Sequence, residues 1–177
     1  MASGVELTQM LIAPQLAVTR FAQLRPGDLF IYPYGEDAFV ALKVMAPDGD
    51  MLFMPMGPGF PDGLTYPRLL HEPAATVISF GKDYILRLPT RPKSWRSEPP
   101  PAETHCIVMA EDGAYVRASF VPEKMGYRAC YVALGSGTIA TDGSSTYSAP
   151  RGHMSFALEW EMLTQEAKPR QILAYPW

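Results

Sequence analysis

The side chains best suited to nucleophilic chemistry are two cysteines, Cys106 and Cys130, and Cys106 directly follows His105. A thiolate activated by an imidazole is a recurrent catalytic pair. Cys106 and His105 are neighbours in an apolar run typical of a strand, so their side chains point to opposite faces of a sheet. Cys130 shares its predicted face with Val132 and Leu134. We therefore predict that both thiols are buried and unreactive.

The remaining candidates for metal or phosphate chemistry are weakly placed. His71, His105 and His153 are far apart and show none of the close pairs that a simple metal site uses. The stretch Gly135-Ser136-Gly137-Thr138 is short and no helix follows it, which argues against a phosphate loop. We predict no metal and no cofactor, and we assign no catalytic residue.

Positive charge is concentrated in residues 82–96, where Asp83 is the single acidic residue. A basic segment that carries an aromatic side chain suits an anion, an acidic partner or a nucleic acid backbone. The alternative is a solvated linker whose charges keep it soluble. The candidate binding residues are Arg91, Lys93, Trp95 and Arg96.

The overall charge limits the classes of partner. With a net charge of −3 and a pI near 5.6, the chain has no overall basic field, so nucleic acid is not the expected partner. No apolar run approaches the ~18 residues of a transmembrane helix, and we expect no membrane contact. The N-terminal residues lack the basic start and apolar core of a signal peptide. We therefore expect a cytoplasmic protein with reduced thiols.

Eighteen prolines and fourteen glycines separate short apolar runs, a pattern that predicts an all-β protein. We expect two small barrel- or sandwich-like modules with short helical turns at most. The predicted organisation is a first β module with an N-terminal extension over residues 1–88, a Pro-rich linker over 89–103, and a second β module over 104–177.

The hairpin over residues 41–55 shows this pattern most clearly. Pro47-Asp48-Gly49 predicts a three-residue loop, in which Pro favours a type I turn and Gly takes the left-handed position. That loop places Val44 opposite Leu52 on an apolar face. The other face carries Lys43, and we expect it to be half covered.

A second copy of this hairpin is suggested 64 positions further on. Residues 44–49 read Val-Met-Ala-Pro-Asp-Gly, and residues 108–113 read Val-Met-Ala-Glu-Asp-Gly. The same register would place Val108 opposite Val116 and Cys106 opposite Ala118. This similarity suggests a tandem duplication. Chance is the alternative, because Asp-Gly turns are common.

The stretch Leu24-Arg25-Pro26-Gly27-Asp28-Leu29-Phe30 resembles the strand opener of cell-wall cysteine peptidases and of several small barrels. In the peptidases the nucleophilic cysteine precedes this segment, whereas here the first cysteine is Cys106. We therefore interpret the stretch as a structural type II turn at Pro26-Gly27.

Two further predictions concern strands. Residues 75–80 and 84–88 are expected to form a hairpin around Gly81-Lys82-Asp83. Residues 154–163 alternate as a single strand with five large apolar residues on one face. We expect that face to lie between the modules, and we expect either part of it or an adjoining Met-rich surface to extend into a homodimer.

These observations leave three hypotheses for function. The first is a non-enzymatic binding or protein-interaction module, whose partner could be acidic or anionic and could contact residues 82–96. The second is an enzyme whose site is formed by residues converging from distant strands and loops. The third is a structural subunit of a homo-oligomer.

Overall fold

The computed structural model describes residues 16–34, 37–57, 67–69, 72–100, 105–120, 128–140 and 149–175. Within these ranges the protein is all-β, as predicted, and its helical content is confined to 3₁₀ turns at Phe21–Gln23 and Pro92–Ser94. The strands are β1 (Ala17–Arg20), β2 (Leu29–Tyr34), β3 (Asp37–Met45), β4 (Met51–Pro55), β5 (Arg68–Leu69), β6 (Thr76–Gly81), β7 (Tyr84–Arg87), β8 (Trp95–Arg96), β9 (Ile107–Ala110), β10 (Gly113–Phe120), β11 (Arg128–Ala133), β12 (Ser155–Ala157), β13 (Trp160–Thr164) and β14 (Gln171–Tyr175).

The described strands form three antiparallel sheets. The first has the order β1-β6-β2-β3-β4-β5, the second β11-β10-β9-β12-β8, and the third β14-β13-β7. The third sheet joins β7, from the first half of the chain, to two strands from the end of the chain. The two halves of the sequence are therefore connected through a shared sheet.

The β3–β4 hairpin has the predicted register, with Val44 opposite Leu52. Gly49 has a φ of 93° and its N–H donates to the carbonyl oxygen of Ala46 at 2.9 Å, which closes the three-residue loop. The second face is more deeply buried than predicted, because Lys43 is only 2% exposed. The turn at Pro26-Gly27 is also confirmed, with a φ of 89° at Gly27.

The β9–β10 hairpin differs from the prediction by one residue. Its loop contains only two residues, so Val108 lies opposite Tyr115 rather than Val116. The N–H of Arg117 donates to the carbonyl oxygen of Cys106 at 2.9 Å, so Cys106 is not opposite Ala118 either. Pro47 favours the longer loop in the first hairpin, whereas the corresponding residue here has no fixed φ.

This shift also separates residues that the repeat would superpose. Leu42 lies in the main core, whereas Cys106 lies in a separate cluster with Tyr115 and Tyr131. An offset of 64 positions predicts that Leu42 superposes on Cys106, and this prediction is therefore wrong. The duplication itself stays a prediction.

The predicted pairing of residues 75–80 with residues 84–88 is wrong. β6 already has β1 on one side and β2 on the other, so neither of its edges is open to β7. β7 pairs instead with β13, with Leu86 opposite Met162.

The predicted single strand over residues 154–163 is also wrong. A bend at Leu158 and Glu159 separates β12, in the second sheet, from β13, in the third. Phe156 consequently packs with Cys106, whereas Trp160 and Met162 lie in the main core. A two-residue break preserves the apparent alternation in the sequence, which explains why periodicity did not reveal it.

The main core combines side chains from all three sheets and from both halves of the chain. Trp160 is 2% exposed, and its indole Nε1–H donates to the carbonyl oxygen of His105 at 3.1 Å. Burial of each large apolar side chain stabilises the fold by roughly 1.5–3 kcal/mol. The members include Leu29, Leu42, Met54, Ile107, Val116, Val132, Trp160 and Met162.

Two glycines bring distant turns into direct contact. Gly137 has a φ of 68°, and a Cβ added there would lie 2.6 Å from the carbonyl oxygen of Lys43 and would also overlap the backbone nitrogen of Gly27. The N–H of Met45 donates to the carbonyl oxygen of Gly137 at 2.8 Å. The stretch 135–138 is thus a structural turn that holds the second sheet against the first.

This contact predicts that Gly137→Ala lowers the free energy of unfolding by about 2–4 kcal/mol, since a side chain would be strained at this φ and would overlap backbone atoms. Gly135→Ala is the matched control, because a Cβ there meets no atom within 4 Å. We expect the control to change stability by less than about 0.5 kcal/mol. Urea denaturation of both variants makes the comparison, and equal losses would contradict the proposed role of the contact.

Candidate functional site

The described part of the Pro-rich segment, residues 89–100, is attached to the second sheet. β8 pairs with β12, with Trp95 opposite Ala157 and Arg96 opposite Phe156. Ser94 is only 2% exposed. Further along, the carbonyl oxygen of Pro100 accepts a hydrogen bond from Nη1 of Arg117 at 2.8 Å. The segment is therefore paired at the β8 edge of the sheet and held again at Pro100 by β10, an interior strand of the same sheet.

The structure divides the basic residues of 82–96 into two groups. Nζ of Lys82 donates to the carbonyl oxygen of Gly135 at 3.0 Å, and Nη1 of Arg87 lies 3.2 Å from a carboxylate oxygen of Glu161. In the described part of the chain, the other three have exposed side chains without a hydrogen bond or ion pair. These three are Arg91, Lys93 and Arg96.

Trp95, the fourth candidate binding residue, faces inward. Its side chain is half-buried against the main core, and its Nε1–H donates to the carbonyl oxygen of Pro89 at 2.8 Å. The indole therefore anchors the segment rather than offering an open ring to a ligand. Three of the four candidates form an open basic surface, and Trp95 supports it.

The backbone of β8 has one hydrogen-bond acceptor, the carbonyl oxygen of Trp95, that points away from the neighbouring strand β12. The carbonyl oxygen of Ser94 accepts a hydrogen bond from the N–H of Leu158 at 2.8 Å, so Ser94 faces β12. Because strand residues alternate in this respect, the main-chain groups of Trp95 point to the outer edge. The N–H of Trp95 donates to Pro92 within the 3₁₀ turn. Its carbonyl oxygen has no partner among the described residues.

Lys43 is a buried cation that sequence reasoning missed. Its Nζ lies 3.3 Å from the centroid of the Phe21 ring and donates to the carbonyl oxygen of Phe21 at 3.1 Å. Burial lowers the pKa of Lys43 to about 8, although the nearby charge of Asp28 acts in the opposite direction. The sequence signal that could have indicated this burial is the hairpin register, which places Lys43 opposite Phe53.

A partly neutral amine can act as a nucleophile or a base, but access decides whether it does. Lys43 lies beneath an aromatic cluster on the outer face of the first sheet, which closes it from solvent. We therefore interpret Lys43 as a structural contact to the 3₁₀ turn at Phe21–Gln23. The aromatic members of this cluster are Phe21, Phe30, Phe39 and Phe53, with Tyr32 packed against them.

The cysteines are both buried, as predicted. Burial raises the pKa of Cys106 to about 11, with Arg117 opposing that shift, and burial raises the pKa of Cys130 to about 12. His105 is also buried, and this burial lowers its pKa. His71 lies outside the described residues.

Within the described ranges, no group of three or more His, Cys, Asp or Glu residues is arranged to hold a metal ion. None of the helices in those ranges is long and apolar enough to cross a membrane.

No protein-family model matches the chain, and neither a curated protein nor a solved structure gives a significant match. The candidate site is therefore the open basic surface formed by Arg91, Lys93 and Arg96. Its assignment rests on the geometry of the described residues and not on similarity to a known protein.

The lowered pKa of Lys43 predicts a pH dependence of stability. Between about pH 8 and the ordinary value of 10.5, the unfolded chain binds more protons than the folded chain. The contribution of Lys43 to the free energy of unfolding should therefore rise with pH across this window. Below about pH 8 the cost of burying the charge is fully present.

Lys43→Met keeps a long apolar side chain without the titrating group. Urea denaturation of both proteins at about pH 7 and about pH 9.5 should show the wild type gaining stability relative to the variant. The difference between the two proteins cancels the titration of other groups. Parallel pH profiles would show that Lys43 has an ordinary pKa.

The burial of Cys106 and Cys130 predicts that thiol reagents modify them slowly in the folded protein. In the native protein at about pH 8, both should react with an aromatic disulfide reagent at least ~100-fold more slowly than in urea. The denatured protein supplies the reference rate. Rapid modification of native Cys106 would contradict its assignment as buried and inert.

Proposed function

We propose that this protein is a non-enzymatic interaction module that binds an anionic partner through Arg91, Lys93 and Arg96. The observation that carries this proposal is the presence of three exposed cations without described partners on a segment that is docked to a sheet. The inward indole of Trp95 and the buried Ser94 hold that segment in place.

The attachment matters energetically. A flexible linker that carries the charges would lose conformational freedom on binding, at a cost of about 1–2 kcal/mol for each backbone residue that becomes ordered. A segment that is already docked to the sheet has lost much of that freedom during folding, so less is lost on binding. Pre-ordering of this kind favours recognition of a partner over a purely solubilising role.

The distribution of charge favours a compact acidic partner. The chain has a net charge of −3, so attraction is local to this edge and does not extend over the molecule. Long polyanions are bound through extended basic surfaces that release many counterions. Three cations suit a short acidic segment better.

The enzyme hypothesis receives less support, because Lys43 and Cys106 are both buried. The homodimer stays a prediction. Trp160 and Met162 lie in the intramolecular core, so a dimer would use the rest of that apolar face or the adjoining Met-rich surface. The cytoplasmic location also stays a prediction.

Binding can be tested with a fluorescein-labelled hexaglutamate peptide, followed by anisotropy at low ionic strength. We expect Arg96→Glu to weaken binding about 10-fold or more, because it replaces an attraction by a repulsion. Lys168→Glu is the matched control, since it makes the same charge change at an exposed residue outside the segment. Equal weakening by the two variants would show a nonspecific charge effect and would refute the proposed site.

A further inference from the structure

The outer edge of β8 combines an unused backbone acceptor with nearby positive charge. The carbonyl oxygen of Trp95 points away from β12 and has no hydrogen bond among the described residues. β8 is the last strand of the second sheet, so no described strand pairs with this edge. An open strand edge is a template for another chain in extended conformation.

The side chains around this acceptor define the charge of the chain that would fit. Arg96 belongs to β8 itself, Arg91 precedes the 3₁₀ turn that leads into β8, and Lys93 lies within that turn. All three are exposed. A carboxylate on an added strand would lie beside Arg96, because side chains on paired strands are neighbours. Arg91 and Lys93 add positive charge where the 3₁₀ turn leads into β8.

The acceptor discriminates between classes of anion. A carbonyl oxygen needs a hydrogen-bond donor, and the backbone of a peptide supplies an N–H at each residue other than proline. The phosphodiester backbone of DNA presents acceptors and no donors. The combination of an unused acceptor with three cations therefore fits the backbone and side chains of an acidic peptide better than the phosphodiester backbone of DNA.

We infer that the partner is an acidic peptide segment that binds in extended conformation by adding a strand to β8. Its backbone N–H donates to the carbonyl oxygen of Trp95, and its carboxylates pair with Arg91, Lys93 and Arg96. This inference rests on the proposed function and adds to it the chemical class of the partner and the backbone contact. The short length of β8 limits the pairing to one or two residues, so the charges supply most of the affinity.

The experiment compares three probes of equal charge. The first is a six-residue peptide of alternating Glu and Val, the second is the same peptide with every backbone N–H methylated, and the third is a thymidine oligonucleotide with three phosphates. Methylation removes the donors and keeps the carboxylates. We expect it to weaken binding about five-fold, the equivalent of one hydrogen bond. The oligonucleotide should bind more weakly than the unmethylated peptide.

The protein variants separate this inference from the proposed function. Arg96→Glu should weaken binding of both peptides, whereas Lys168→Glu should leave both unchanged. If the methylated peptide binds as tightly as the unmethylated one and Arg96→Glu weakens both, strand addition is refuted and the basic site stands. If the oligonucleotide binds at least as tightly as the peptide, the acidic peptide is the wrong class. If Arg96→Glu has no effect on either peptide, the proposed function itself fails.

Discussion

The close contact between Gly27 and Gly137 is the constraint on which the arrangement of the first and second sheets depends. Both residues have positive φ, and neither has room for a side chain. The contact continues into a backbone hydrogen bond from Met45 to Gly137. Lys82 and Tyr84 reinforce it, because each donates a side-chain hydrogen bond to a carbonyl oxygen of the same turn. Residues from the first half of the chain thus satisfy the polar groups of a turn in the second half.

Lys43 connects this contact to the outer face of the first sheet. Its carbonyl oxygen accepts the N–H of Gly27, while its ammonium group lies over the ring of Phe21. The side chain thereby links β3 to the 3₁₀ turn at Phe21–Gln23. A buried cation is tolerated there because an aromatic ring and a carbonyl oxygen replace part of its hydration. The same interactions hold the ammonium group in place, so Lys43 contributes to structure rather than to an accessible site.

The basic surface depends on the opposite arrangement, in which the charges are exposed and the residues between them are anchored. Ser94 and the indole of Trp95 face the protein, whereas Arg91, Lys93 and Arg96 face solvent. Composition identified this segment as basic and aromatic, and it named these residues as candidates. Composition did not show that Lys82 and Arg87 have partners, because those partners are distant in sequence.

The sequence by itself determined the all-β class, the turn at Pro26-Gly27 and the register of the β3–β4 hairpin. Each of these follows from local patterns and from the backbone preferences of Pro and Gly. Only the tertiary structure decided that β7 pairs with β13, because this outcome depends on both edges of β6 being occupied already. It also decided the bend at Leu158 and the burial of Lys43. Those features arise from contacts between distant residues, and neither alternation nor turn chemistry encodes them.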